Sequence, residues 1–291
     1  FFFQAEYGIR ALIVTGVQTC ALPIFDDDTL SDTVVRELVE YAVDLKRVDV
    51  FVQPIVRLPQ RQTRFFEIYA RIRARAGQYI PAGRYLPIAE QDNSDEAIDN
   101  LLLLHCLKTI RESAHIKNAA PFFLNIKSDL LHDAKFMNVF LAFMAKNKDL
   151  APRLVFEIRQ SDYESMPTKL LEVMRGLGRL GCGFSLDHVE DLNMNIADLQ
   201  HFKVRFIKIE ASKLLDASRG GEFTTMHTNK RQLEGNGIGV IVEKIETEDK
   251  MRALLDLYLH YGQGFLLGKP ELEGADKELA RARRTGWPET V

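Results

Sequence analysis

VDVFVQPIVRLPQRQTRFFEIYARI, residues 48–72, contains two runs in which side chains alternate between two faces. The first run is residues 48–56, and the second is residues 64–72. A period of two is typical of β-strands, because successive side chains of a strand point to opposite sides. In the second run one face is apolar, and the other carries Glu67, Tyr69 and Arg71. We therefore predict two strands, the second with a carboxylate and a guanidinium on the same face.

The rest of the chain alternates between strand and helix patterns. Six further apolar runs predict strands, at residues 121–126, 153–158, 183–189, 205–210, 238–245 and 262–268. Helical spacing predicts helices at residues 31–45, 95–110, 136–144, 168–180, 195–203, 222–235 and 247–260. This order indicates a parallel sheet with right-handed crossovers, and eight strands after a first helix favour a TIM-like (β/α)₈ barrel of the α/β class. We assign residues 27–274 to one barrel domain and residues 275–291 to a C-terminal tail.

Residues 1–26 are excluded from the predicted barrel. They lack the basic start of a signal peptide, and Glu6 and Arg10 interrupt their apolar run. Residues 14–24, VTGVQTCALPI, resemble the translation of a common sequencing adapter, so we interpret this tail as non-native. On this interpretation the natural N-terminus is missing, and a membrane tether there would be invisible.

Charge and cysteine content exclude several classes of protein. The net charge of −3 provides no excess of positive charge for a phosphate backbone, so we expect no nucleic-acid polymer as a partner. The three cysteines are sparse and have no CxxC spacing. This pattern favours a reducing compartment over a structural zinc site, and we expect a cytoplasmic domain.

Polar residues recur near the ends of the predicted strands: Glu67, Asn125, Glu157, Asp187, Lys208 and Glu243, with Gln263 at the start of the last strand. In a barrel the carboxyl ends of the strands meet at one mouth, so these side chains should converge. Their oxygen atoms suit Mg²⁺, Mn²⁺ or Ca²⁺. Lys208 would then assist a metal-bound water, and Arg71 would bind a phosphate. The set points to a phosphate ester as the ligand.

Short motifs in the same order resemble the EAL domain, the cyclic di-GMP phosphodiesterase family. They are QPIV (53–56), EIYAR (67–71), IPAGRYLPIAEQ (80–91), LNIKS (124–128), FEIRQS (156–161), FIKIE (206–210), VEKIET (242–247) and GQGFLLGKP (262–270). The resemblance covers about residues 34–272. It implies a (β/α)₈-like barrel in which one strand is reversed.

The resemblance also implies roles for individual residues. Those matching the first metal site are Glu67, Asn125, Glu157 and Asp187, and those matching second-metal or supporting positions are Glu243, Glu246 and Gln263. Lys208 matches the lysine that assists the attacking water, so Lys208 and Glu243 are the candidate catalytic residues. The residues expected at the nucleotide are Gln53, Glu67, Arg71, Pro87, Glu90, Asn125, Lys208, Glu246, Gln263 and Phe265.

The chain departs from the family pattern around the second metal. Residues 187–195 read DHVEDLNMN where the family has DDFGTGYSS, so His188 replaces an aspartate and both glycines are absent. Arg159 replaces a threonine, and Glu210 replaces an aspartate. Hydrolysis by two metals needs both ions about 4 Å apart, and these changes weaken the second site. Because histidine can bind Mn²⁺ or Zn²⁺, His188 stays a candidate metal ligand.

These observations leave three functions open. The first, which we favour over an enzyme, is a degenerate EAL domain that binds cyclic di-GMP as a receptor. Its motifs resemble alphaproteobacterial receptors for polar flagellum assembly, which implies a protein partner in a bacterial signalling or flagellar pathway. The second is a weak metal-dependent phosphodiesterase that produces pGpG. The third is a scaffold that binds a protein partner without the nucleotide.

Overall fold

The computed structural model describes residues 30–45, 48–75, 78–113, 119–219, 223–254 and 257–273. The tails predicted at 1–26 and 275–291 lie outside these residues. The strands are β1 (Asp49–Arg57), β2 (Gln62–Arg75), β3 (Gln78–Ile80), β4 (Phe122–Asn125), β5 (Leu154–Arg159), β6 (Gly183–Val189), β7 (Val204–Glu210), β8 (Gly239–Glu243), β9 (Tyr261–Gly262) and β10 (Glu271–Leu272).

The helices mostly follow the strands in alternation. They are α1 (Asp32–Asp44), α2 (Ala82–Gln91), α3 (Asp95–Glu112), α4 (Ser128–His132), α5 (Ala134–Lys146), α6 (Gln160–Glu164), α7 (Thr168–Leu180), α8 (Ile196–His201), α9 (Ala211–Arg219), α10 (Phe223–Gly235) and α11 (Glu248–Ala253). Ser31 caps α1, as its spacing predicts, and its side chain accepts a hydrogen bond from the Val34 amide. Among the described residues, no helix is both long enough and apolar enough to span a bilayer.

Eight strands close into a barrel in the order β1-β9-β8-β7-β6-β5-β4-β2, and β2 pairs back with β1. β1 runs antiparallel to both of its barrel neighbours, whereas the pairs from β2–β4 through β8–β9 are parallel. The predicted TIM-like barrel is therefore confirmed, including the reversed strand. The short strands β3 and β10 add to β2 and β1 outside the closed ring.

The alternation along each strand separates two apolar regions. Inward-facing residues form a plug inside the barrel: Ile55, Phe65, Phe123, Val155 and Ile241. Within it the rings of Phe65 and Phe123 meet edge to face, with centroids 5.2 Å apart. The opposite face of β2 packs against the helices through buried residues such as Phe66 and Ile68. The plug fills the barrel interior, so a ligand can enter only at the strand ends.

Two predicted elements differ from the structure. The strand predicted at 262–268 is shorter in the structure, where β9 ends at Gly262. The chain turns at Gly264, whose φ is +153°. A Cβ atom on Gly264 would overlap the backbone of Ile245, so this loop approaches β8 too closely for a side chain. The helix predicted at 247–260 ends at Ala253 within the described residues.

Candidate functional site

A cavity of about 680 Å³ opens where the carboxyl ends of the parallel strands meet. Its volume lies in the range of small-molecule sites. Most of the predicted site residues line it: Gln53, Glu67, Arg71, Glu90, Asn125, Glu157, Asp187, His188, Glu243, Glu246, Gln263 and Phe265. Lys208 lies beneath the surface of the cavity, where its side chain is fully buried. Pro87 is exposed on α2 and does not belong to the cavity wall.

Lys208 lies at the point where three carboxylates converge. Its Nζ atom is 2.5 Å from Oε2 of Glu67, 2.8 Å from Oε1 of Glu157 and 2.9 Å from Oε1 of Glu243. The four residues belong to β2, β5, β8 and β7, so they come from different sides of the barrel and converge at its mouth, with β8 next to β7 and β2 across the barrel from it. The lysine therefore supplies a positive charge at the centre of the predicted metal site.

Burial and mutual charge shift the pKa values in this cluster. Burial lowers the pKa of Lys208, but Glu157, Glu243 and Glu67 outweigh it and raise that pKa well above its ordinary value. Burial, assisted by Glu67, raises the pKa of Glu157 well above its usual range. The pKa of Glu243 rises to about 7, chiefly through burial and against the charge of Lys208. The raised pKa keeps Lys208 protonated and positively charged among these carboxylates.

Asp187 and His188 form a pair at the end of β6. The ring Nδ1 of His188 lies 2.8 Å from Oδ2 of Asp187, and the His188 amide donates to Oδ1 at 2.7 Å. Burial alone would raise the pKa of Asp187, but Lys208 and His188 outweigh it and keep that pKa below its ordinary value. His188 has a φ of +54°, and 61% of its side chain is exposed. Asp187 is thus ionised, with the histidine turned toward it.

The carboxylates that the resemblance assigns to the metals surround Lys208. Oε1 of the buried Glu157 pairs with the Lys208 ammonium at 2.8 Å, whereas its Oε2 has no hydrogen-bond partner and is free to face a cation. Yet the described residues hold no group of three or more His, Cys, Asp or Glu side chains placed to bind a metal together. Lys208 stands between the carboxylates instead. At the position where the resemblance places the second metal, His188 stands instead of the family's aspartate.

A hydrogen-bonded network joins the carboxylate cluster to the neighbouring wall. Gln263 Nε2 donates to Glu67 Oε2 at 2.7 Å and to Gln53 Oε1 at 3.2 Å. Gln53 Nε2 donates to the Gly268 carbonyl, and the Tyr69 hydroxyl donates to Gln53 Oε1. The network holds the 263–268 loop against β1, so the residues predicted at the nucleotide have set positions.

Another part of the cavity wall carries Arg71, Glu90 and Lys127. The Arg71 guanidinium carbon lies 5.4 Å from the centre of the Tyr69 ring, and the side chain donates to the Ala70 carbonyl. Lys127 forms ion pairs with Glu90 and Asp95, at 2.8 and 2.6 Å. The guanidinium of Arg71 keeps free N–H donors, which suits an anionic or nucleobase ligand.

Several cavity residues were not predicted at the nucleotide: Tyr69, Asp99, Lys127, Arg159, Glu210 and Lys244. Tyr69 follows Glu67 by two residues on one strand face, so the alternation itself could have identified it. Lys244 stands where the AEGVET motif of the family has glycine. Its φ of +56° is a left-handed conformation that favours glycine, so the replacement itself could have identified the position. Asp99 lies in an apolar helix, where no pattern marks it.

Most of the chain is similar in sequence to known proteins. The family model described as "EAL domain" matches residues 36–270. The cyclic di-GMP phosphodiesterase PdeF of Escherichia coli K12 is 25% identical over 240 residues, which are 80% of this chain and 31% of that protein. The cyclic di-GMP phosphodiesterase PdeA of Borreliella burgdorferi is 21% identical over 207 residues, covering 70% and 31%. This chain thus spans about a third of the length of these relatives.

Solved structures share the fold. The EAL domain of FimX from Pseudomonas aeruginosa bound to c-di-GMP superposes with a TM-score of 0.68 and 21% identity, covering 83% of this chain and 98% of that one. The S helix-GGDEF-EAL portion of Vibrio cholerae LapD bound to c-di-GMP gives a TM-score of 0.67 and 19% identity, covering 82% and 57%. With the family model matching most of its length, and with the barrel and the carboxylate-lined mouth described above, this chain belongs to the EAL domain family.

Proposed function

We propose that this chain binds cyclic di-GMP in the cavity and does not hydrolyse it efficiently, so that it acts as a signalling receptor. The observation that carries the proposal is an asymmetry of the cavity. Gln53, Arg71 and Gln263 line the wall that would hold the nucleotide. At the opposite end, His188 stands in place of a metal-binding aspartate and is turned toward Asp187.

The nucleotide fits the chemistry of this wall. Arg71 offers a guanidinium beside an aromatic ring, and Phe265 exposes 55% of its surface at the rim. An exposed aromatic ring suits stacking on a guanine base, and a guanidinium suits a phosphate or a base edge. The solved FimX and LapD structures contain c-di-GMP, which supports the same class of ligand here.

We assign a limited role to a metal. Glu67, Asn125, Glu157 and Asp187 would hold one Mg²⁺ or Mn²⁺, with Ca²⁺ as a further candidate. When bound, the ion would neutralise the carboxylates and the phosphate together. A two-metal hydrolytic site would need a ligand set at the second position, and His188 with Arg159 does not provide one.

The test uses the whole chain at a concentration near that of the ligand. Protein is mixed with cyclic di-GMP and Mn²⁺, bound and free nucleotide are separated by ultrafiltration, and both are chromatographed. We expect intact cyclic di-GMP with the protein and its loss in the Arg71→Ala variant. Intact ligand left wholly free would contradict the proposal and leave a ligand-independent scaffold, and a linear product would identify an enzyme.

A weak phosphodiesterase is the second candidate, and one observation favours it. Glu243, a candidate catalytic residue, has a pKa near 7 and lies beside Lys208, so it is poised to exchange a proton. If this reading holds, wild-type protein with Mn²⁺ forms pGpG slowly, and the His188→Asp variant forms it faster. Absence of product from both proteins after long incubation would contradict the phosphodiesterase.

A protein partner completes the receptor proposal. A receptor without a chemical output transmits its signal by contact, so we infer a partner in a bacterial signalling pathway, with flagellar assembly as the first pathway to examine. Affinity capture with and without cyclic di-GMP tests this. Proteins retained only with the nucleotide, and not by the Arg71→Ala variant, would support it.

A further inference from the structure

Two cations border the cavity at the end where the family has its second metal. They are Arg159, the last residue of β5, and Lys244, which directly follows β8, and we name them the rim cations. Between them lie the ends of β6 and β7, with Asp187 and Glu210. The four strands are consecutive in the barrel, so the rim cations flank Asp187 from both sides.

Arg159 is positioned toward the cavity by its strand. It follows Glu157 by two residues, so both side chains lie on the same face of β5, and it is in register with Asp187 of β6. It is exposed and lines the cavity. Within the described part of the chain, its guanidinium makes no ion pair or hydrogen bond to another side chain. It therefore presents its donors to whatever occupies the cavity.

Lys244 is held in place although its backbone conformation is unfavourable. Its φ of +56° is a left-handed conformation that is unfavourable for a residue with a side chain. Its Nζ atom pairs with Oε1 of Glu210, and the Ser212 hydroxyl donates to the other oxygen of that carboxylate. The hydrogen bond to Glu210 chiefly raises the pKa of Lys244, and Glu243 and Asp187 add to it. Lys244 is thus a fixed positive charge near Asp187.

We propose that Arg159 and Lys244 form a phosphate-binding subsite that replaces the second metal ion. This inference rests on the proposed binding of cyclic di-GMP and names the groups that receive one of its phosphates. A phosphate approaching this end of the cavity meets the negative charge of Asp187 and Glu210. The positive charges of the rim cations offset this negative charge. A bound metal ion would have the same effect in a site that takes one from solution. Nucleotide binding should then need no divalent cation and should weaken with salt.

Three departures from the family pattern, at Arg159, Glu210 and Lys244, fit this subsite. Lys244 and Glu210 replace a glycine and an aspartate, and the longer glutamate meets the new lysine. Arg159 adds a second cation two strands away from Glu210. A merely degenerate site would lose charges without placing new ones, whereas here a positive charge stands on each side of Asp187.

The experiment measures cyclic di-GMP binding to the whole chain by calorimetry, first with EDTA and then with Mn²⁺. We expect wild-type affinity to differ less than about threefold between the two buffers. In EDTA, Arg159→Ala should weaken binding about tenfold or more, the range expected for loss of a charge-assisted hydrogen bond. Arg231→Ala, on the exposed surface of α10, and Lys148→Ala, exposed after α5, serve as controls outside the cavity wall.

Lys244→Gly separates binding from stability. Glycine accepts the left-handed conformation, so the free energy of unfolding should hold or rise, whereas affinity in EDTA should fall as for Arg159→Ala. If wild-type protein binds only with Mn²⁺, or if both variants bind like wild type, the subsite is wrong and the receptor proposal stands. If wild-type protein binds in neither buffer, the receptor proposal itself fails.

Discussion

The ammonium nitrogen of Lys208 lies 2.8 Å from Oε1 of Glu157, and both side chains are fully buried. Two more carboxylates, of Glu67 and Glu243, lie within 2.9 Å of the same nitrogen. A buried charge that loses its partner keeps its desolvation cost. The three carboxylates therefore depend on Lys208 for the stability of the strand ends that surround the cavity. Its charge also explains how so many carboxylates lie together beneath the cavity.

Lys208→Met should destabilise the protein by about 3–5 kcal/mol, because it leaves the carboxylates buried without their counter-charge. Urea unfolding measures the loss. Mn²⁺ should restore much of the lost stability in a thermal-shift assay, since removal of the lysine opens the oxygen cluster to a cation.

Lys230→Met is the matched control for this experiment. Lys230 is also buried, and its Nζ atom pairs with Glu234 at 2.7 Å, but neither residue lines the cavity. It should lose stability as well, without recovery in Mn²⁺. Equal recovery of both variants, or none in Lys208→Met, would argue against a cation-binding oxygen cluster.

Asp99 should make stability depend on pH. Burial raises its pKa from 3.8 to about 7, opposed by Lys127 and assisted by Asp95, Glu96 and Glu90. Between pH 3.8 and about pH 7, Asp99 keeps its proton in the folded state and has lost it in the unfolded state. The contribution to stability is therefore complete below the lower value and is lost as the pH rises through about 7.

Unfolding of wild type and Asp99→Asn at pH 5 and pH 8 measures this effect. Wild type should lose more stability over that interval than the variant, because asparagine does not titrate. Parallel pH profiles for the two proteins would show that Asp99 is ionised in the folded state throughout.

Phe265→Ala should weaken cyclic di-GMP binding without lowering stability. The ring lines the cavity and is half exposed, so its removal leaves no buried void. Loss of stacking on one base costs about 1–3 kcal/mol, which is about 5- to 150-fold in affinity. Tyr258→Ala, a more exposed aromatic residue outside the cavity wall, should bind like wild type. Unchanged affinity of Phe265→Ala would assign that ring a role other than stacking.

Gly264→Ala should disrupt both stability and binding. A methyl group at this position would overlap the Ile245 carbonyl oxygen, and backbone atoms cannot yield as a flexible side chain does. Displacement of the loop would also move Gln263 away from Glu67. Gly83→Ala is the control, because a Cβ atom there meets nothing within 4 Å and alanine favours a helix. Similar melting temperatures for both variants would contradict the close packing of the loop.

Local pattern predicted most of the barrel and failed where the chain turns. The alternation in β2 correctly separated Phe66 and Ile68, which face the helices, from Glu67 on the inner face. The same reasoning extended the last strand across 263–268, because an apolar run does not reveal that Gly264 must approach Ile245. The family resemblance implied a place for Pro87 at the nucleotide, whereas that residue is exposed on α2, outside the cavity wall.

The sequence by itself determined the barrel architecture and which carboxylates meet at the strand ends. Side-chain periodicity is a local property, and the strand ends of a barrel converge whatever the loops do, so Glu67, Asn125, Glu157, Asp187 and Glu243 were identified together. Only the tertiary structure decided how their charges are balanced. Whether Lys208 acts as a base or as a fixed cation, and whether Lys244 meets Glu210, depends on distances between strands and on burial. Electrostatic energy varies steeply with both, and neither can be read from spacing along the chain.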